Sequence, residues 1–158
     1  MEIHDLTLVR WLRSQRGSRC DMTELVRKVR TAHKPHQCDY CNCEIQTGEQ
    51  YDYQKYTEDG KFWEWKSHLK CLELAEYLWS YIDPMYDEMT SRMFQEGVAD
   101  FCDEYVCPVC NDPNKEEDHC IYDVPTSIAK AYEFIQDHKL VRLDTPDADG
   151  RLWSCVEK

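Results

Sequence analysis

Apolar positions recur along the chain with two different periods. Between residues 69 and 82, Leu72, Ala75, Leu78, Trp79 and Ile82 fall on one stripe, which predicts an amphipathic helix ended by Asp83-Pro84. The same pair can start a second helix, with Asp83 as cap and Pro84 in its first turn, running to about Phe101, where Gly97 weakens its end. A third follows Pro125, with Ile128, Ala131, Tyr132 and Ile135 on one face. Between residues 49 and 68 the period shortens to two. Tyr51 and Tyr53 alternate with polar residues, Phe62, Trp63 and Trp65 lie on a return strand, and Glu58-Asp59-Gly60-Lys61 carries an Asp-Gly turn signal, so a β-hairpin is expected. Short strands are expected at 139–143 and 151–156, joined by the turn Pro146-Asp147-Ala148-Asp149-Gly150.

Residues 1–33 read as helical with a break at Gly17-Ser18. Asp21 or Thr23 would cap a second piece whose apolar positions are Met22, Leu25, Val26 and Val29, and Pro35 would stop it. Arg27, Lys28 and Arg30 make a basic face there. The expected organisation is α+β, in four segments: a basic helical segment 1–34, a metal-binding unit 35–83, a connecting helix 84–101, and a second Cys-rich unit 102–158 with a helix and a C-terminal hairpin.

Composition sharpens this picture. Units of fewer than about 80 residues gain little margin from a hydrophobic core alone and often recruit a metal or disulfides. The chain has 158 residues and ten cysteines. Its N-terminal stretch breaks every apolar run with charges, unlike a secretory signal, and no run is long enough for a membrane span, so a cytoplasmic location with reduced thiols is expected. That favours metal over disulfides. The formal charge of −12 is uneven: residues 1–36 hold 8 Lys/Arg and 4 Asp/Glu, and residues 37–158 hold 11 and 27. The acidic body opposes phosphate backbones and suits a partner protein with a basic surface.

The cysteines fall into metal-ligand spacings. Cys38-x2-Cys41 and His68-x2-Cys71 supply the four donors of a tetrahedral Cys3His zinc site. Two residues between the first pair let a tight turn aim both sulfurs at one ion, and the residue after Cys41 needs a left-handed backbone; Asn42 tolerates that well. His68 and Cys71 lie three apart, on one face of the first turn of the 69–82 helix. The order of knuckle, hairpin, and ligand pair entering a helix is the treble-clef arrangement. The run His33-Lys34-Pro35-His36-Gln37-Cys38-Asp39-Tyr40-Cys41, followed by Ile45, Gly48-Glu49, Tyr51 and His68-x2-Cys71, resembles small treble-clef zinc proteins found in phages, prophages and bacteria. The resemblance covers about residues 33–80. It implies zinc on Cys38, Cys41, His68 and Cys71, and a phage-type regulator acting on a host protein. Cys43 is an extra thiol beside the knuckle, leaving open which sulfurs bind.

Cys107-Pro108-Val109-Cys110-Asn111 repeats the knuckle, Asn included. A second zinc is expected on Cys102, Cys107, Cys110 and Cys120, with His119 as substitute for Cys102; Cys20 and Cys155 read as small buried residues. Four protein donors would close the first site to a catalytic water. The deaminase pattern of His-x-Glu with Pro-Cys-x2-Cys fails, since Gln37-Cys38 follows His36. An HNH-type nuclease would need further histidines near the hairpin; His33 and His36 are available, but the acidic charge opposes DNA. The expected function is therefore a zinc-binding, non-enzymatic protein-interaction module. The alternative is a nucleic-acid-binding finger using the basic segment 10–34 and the hairpin aromatics Tyr51, Tyr53, Tyr56, Phe62, Trp63 and Trp65.

Overall fold

In the computed structural model, residues 23–84, 88–110 and 123–158 are described. The central hairpin forms as its spacing predicts. Strands β4 (Gln50–Glu58) and β5 (Lys61–His68) pair antiparallel from Tyr51 opposite His68 to Glu58 opposite Lys61. Asp59 and Gly60 both take positive φ, 49° and 76°, the signature of a tight turn whose twist matches the strands.

Strand β1 (Thr23–Thr31) completes a three-stranded sheet in the order β1-β4-β5. Here the structure differs from the expected helix. Helical spacing would bury Leu25 and Val29, yet they are 47% and 53% exposed. The β-branched residues Thr23, Val26, Val29 and Thr31 suit an extended backbone, and pairing along β4 satisfies the peptide groups. A bulge between Glu24 and Val26 interrupts the ladder. The rest of that expected helix lies outside the described residues.

The register sorts the sheet into two faces, because residues directly opposite one another share a face. Arg27, Gln54 and Trp65 form one row, and Val29, Asp52 and Ser67 the next. This face meets the helices: Arg27 pairs with Glu76 at 3.6 Å, and Trp65 packs edge-on against Tyr40, which leans on Phe94. Lys28, Tyr53 and Lys66, with Arg30, Tyr51 and His68, belong to the opposite face.

The expected helix at 69–82 is present as α1 (Leu69–Tyr77) and α2 (Trp79–Ile82), with a turn at Leu78 between them. Asp83 adopts a left-handed backbone, φ 49°, and ends the run. Helix α3 (Ser91–Phe101) begins later than expected. Its cap is Thr90, whose side-chain oxygen accepts the Met93 N–H at 3.2 Å. Beyond Phe101 the chain continues as a π-helical turn (Cys102–Val106) and a 3-10 turn (Cys107–Val109). Helix α4 (Val124–Asp137) and the hairpin of β6 (His138–Arg142) and β7 (Trp153–Glu157) follow close to their expected places.

Leu72, Leu74, Ala75 and Leu78 of α1, Phe94, Val98 and Phe101 of α3, and Ile128, Ala131 and Ile135 of α4 are buried in one cluster. The segments expected at 35–83, 84–101 and 102–158 thus share a core. Phe101, fully buried, is ringed by Tyr77, Tyr81, Tyr105 and Phe134 with ring centres 5.5 to 6.4 Å away. Tyr77 and Tyr105 donate to the carbonyls of His138 and Trp153, both at 2.7 Å, tying the C-terminal hairpin to this core. Among the described residues, no helix is long and apolar enough to cross a membrane.

Gly97 is where α2 and α3 come closest. A Cβ there would overlap Cγ1 and Cδ1 of Ile82. Gly97→Ala is expected to destabilise the fold by about 1–3 kcal/mol, read as a lower melting temperature, and Ile82→Val in the same chain should recover part of the loss. Equal melting of Gly97→Ala and the parent would show that the helices are not in tight contact.

Candidate metal centre

Two short strands, β2 (His36–Gln37) and β3 (Glu44–Ile45), bracket the knuckle. Cys38 and Cys41 sit between them. The Asn42 N–H donates to the Cys38 carbonyl at 2.9 Å, and the Cys38 N–H to the Cys43 carbonyl at 2.9 Å. Asn42 has φ 60°, the left-handed geometry that its position after Cys41 predicts. The Cys43 N–H points at the Cys41 sulfur, 3.4 Å away.

Asp39 fastens this turn to the central hairpin, a contact that the spacing does not reveal. Its N–H donates to the Lys66 carbonyl, and its carboxylate Oδ2 accepts the Lys66 N–H, each at 2.7 Å. The knuckle is thereby held beside β5 two residues before His68. Burial pushes the Asp39 carboxyl up, and the Lys66 N–H opposes that shift.

His68 ends β5 and occupies the N-cap of α1, while Cys71 lies in the first turn of that helix. Their donor atoms meet those of the knuckle: the ligand atoms of Cys38, Cys41, His68 and Cys71 all lie within 4.8 Å of one another. Nδ1 of His68 is 3.4 Å from the Cys41 sulfur and 3.7 Å from that of Cys71. Bonds of about 2.3 Å to sulfur and about 2.0 Å to nitrogen, set tetrahedrally, give edges of about 3.5–3.8 Å. The cluster is therefore the right size to hold a metal ion and is consistent with zinc at one site. Cys38, Cys41 and Cys71 are buried.

The imidazole is oriented from outside the cluster. Nε2 lies 3.1 Å from the Glu44 carbonyl and 3.9 Å from Glu49 Oε1. With its proton on Nε2, His68 donates outward to that carbonyl and presents a bare Nδ1 lone pair to the sulfurs, the arrangement expected around a ligating histidine. Without a metal, the electrostatics favour the protonated imidazole, whose Nδ1–H faces the sulfurs. Hydrogen bonds from Cys41 and then Cys71 draw Cys38 far below the ordinary thiol range. Hydrogen bonding to Cys38 and Cys41 in turn pushes Cys71 up and His68 up to about 10. His68 and Cys71 thus hold their protons beside the Cys38 thiolate, and a divalent cation at this centre would take the place of those protons.

Cys43 stays outside the cluster. Its sulfur faces the Cys41 carbonyl at 3.6 Å, and burial pushes its thiol up to about 11.

Of the second set of sequence-predicted ligands, Cys102, Cys107 and Cys110 are among the described residues. Cys102 is fully buried, and its thiol donates to the Ser127 carbonyl at 3.3 Å. Cys107 and Cys110 bracket the 3-10 turn, closed by a Cys110 N–H to Cys107 carbonyl bond of 3.4 Å. Among the described residues, Cys102, Cys107 and Cys110 form no group of metal-binding dimensions. His119, Cys120 and Cys20 lie outside the described residues. Cys155 is half-buried on β7 against the core.

The hairpin aromatics divide along its length. Tyr51 and Tyr53 are buried and Trp65 is packed inward, while Phe62 and Trp63 near the turn are 65% and 37% exposed. Comparison with protein-family models, curated proteins and solved structures finds no match to this chain.

Cys71→Ser should lose the metal and much of the stability it supplies, which is on the order of 10 kcal/mol for a structural zinc at neutral pH. Cys43→Ser should keep both. Chelator treatment, or acidification that protonates the thiolates, should reproduce the Cys71→Ser state in the parent chain. A Cys71→Ser protein melting with the parent would remove the site. Asp39→Ala should cost about 1–3 kcal/mol of thermal stability, because the Lys66 N–H loses its acceptor; melting at the parental temperature would show that the clamp is dispensable.

Proposed function

We propose that the chain is a treble-clef zinc finger that serves as a non-enzymatic protein-interaction module. The observation that carries this reading is the four-donor cluster, in which knuckle, hairpin and helix start each contribute ligands to one centre. A metal held by four protein donors has no open position for a nucleophilic water or a substrate oxygen, so its work is structural. The excess of carboxylates after residue 36 favours a partner with a basic surface, with the charge raising the association rate more than the affinity. The resemblance to phage and prophage zinc proteins supports the narrower proposal of a regulator acting on a host protein.

A second zinc is part of the proposal. Its ligands would be Cys102, Cys107, Cys110 and Cys120, with His119 as substitute for Cys102. The nucleic-acid alternative is favoured by a different observation: Lys28, Arg30 and Lys34 of the basic segment line one concavity with Tyr51 and Tyr53 of the hairpin.

Metal analysis of the purified chain should return two zinc ions per molecule, and Cys107→Ser should lower that number to one. One zinc per chain would reject the second site. Immobilised zinc-loaded protein should capture a defined Lys/Arg-rich protein from bacterial lysate and release it at high salt. Recovery of nucleic acid alone would overturn the protein-partner reading.

A further inference from the structure

The sheet face that turns away from the helices is basic, although the chain as a whole carries a formal charge of −12. Cross-strand rows place Arg30 beside Tyr51, Lys28 and Lys66 on either side of Tyr53, and Lys55 between Val26 and Glu64. The connection after β1 folds over one end. Together they enclose a concavity of about 610 Å³ whose charged lining includes Lys28, Arg30, Lys34, Lys66 and a single carboxylate, Glu64.

That carboxylate is already engaged, accepting the Tyr53 hydroxyl at 2.6 Å and pairing with Lys66 at 3.5 Å. Among the described residues, Lys28, Arg30 and Lys34 form no ion pair. The Arg30 guanidinium lies 3.6 Å over the ring of buried Tyr53, so an apolar floor holds a cation at a fixed place. A concave wall of low dielectric lined by one sign of charge focuses its field on whatever enters.

The cations repeat along the strands. Alternate residues on one face are about 7 Å apart, so Arg30, Lys28 and, through Val26, Lys55 mark a line and not a point. At the far end of that line Phe62 is 65% exposed, with the Lys55 ammonium 5.5 Å from its ring centre. A row of cations ending at an open aromatic ring matches a chain of phosphates carrying an unstacked base. An acidic peptide would satisfy the charges but gives no role to the exposed ring. We propose that this face binds single-stranded nucleic acid, with phosphates along Lys34, Arg30, Lys28 and Lys66 and a base on Phe62. The site rests on the nucleic-acid alternative given above, which it deepens by naming a single strand and the residues that meet it, and it does not depend on the protein-partner reading.

The test uses the full zinc-loaded chain and a fluorescein-labelled single-stranded oligonucleotide, followed by anisotropy between about 50 and 200 mM salt. Three or four phosphate contacts should give a log–log salt slope of about −2 to −3. The triple variant Lys28→Glu, Arg30→Glu, Lys34→Glu should bind at least about tenfold more weakly, with a flatter slope. Phe62→Ala should weaken binding while leaving the slope unchanged. Zinc content and melting temperature, measured on the same samples, separate loss of the site from loss of the fold. Absence of binding at the lowest salt would overturn the proposal, as would parental affinity in a folded triple variant. Preference for polyglutamate of equal charge would assign the face to an acidic protein and overturn it equally.

Discussion

Convergence of four donor atoms on one centre is the constraint that the rest of the structure serves. Cys41 and His68 are 27 positions apart, yet their donor atoms are 3.4 Å apart. Bringing them together costs conformational entropy, which a metal bound there would offset by far more than any single hydrogen bond. The β4-β5 hairpin is the device that returns the chain. Its turn at Asp59-Gly60 sets the register, the register places His68 opposite Tyr51, and the Asp39–Lys66 pair of hydrogen bonds brings the knuckle alongside. Each contact acts one or two residues away from a ligand.

The same centre fixes where the helical half begins. Because His68 is the N-cap of α1 and Cys71 lies in its first turn, the metal ligands determine the origin and direction of the helix that carries Leu72, Leu74, Ala75 and Leu78 into the core. Tyr40, between the two knuckle cysteines, extends the linkage by packing against both Trp65 and Phe94. Metal cluster and hydrophobic cluster are therefore one body: Cys38, Cys41 and Cys71 are counted among its buried residues together with Phe94, Phe101 and Ile135.

Features governed by local chemistry were legible in the sequence. The Asp-Gly turn, Asn42 after the knuckle, the apolar stripe from Leu72 to Ile82 and the two pair spacings Cys38-x2-Cys41 and His68-x2-Cys71 all depend on neighbours close along the chain, and all four are found in the structure. Features decided at long range were not. Residues 23–31 carry a helical spacing, but pairing with β4 makes them a strand, since the partner lies some twenty residues away and outweighs a weak intrinsic preference. Asp83-Pro84 has the chemistry of a helix start, but Asp83 closes the preceding helix and Thr90 caps the following one. Asp39 reads as an ordinary knuckle residue until β5 is placed beside it.

Charge follows the same division. The excess of Lys/Arg near the N-terminus is plain in the sequence, but only the sheet puts Lys28, Arg30 and Lys66 on one face. The central claim remains the metal centre, and anomalous diffraction at the zinc edge tests it most directly. The account predicts a peak enclosed by the sulfurs of Cys38, Cys41 and Cys71 and by Nδ1 of His68, with sulfur distances of about 2.3 Å and a nitrogen distance of about 2.0 Å. A map with no anomalous density among these four side chains, or with Cys43 in place of one of them, would contradict it.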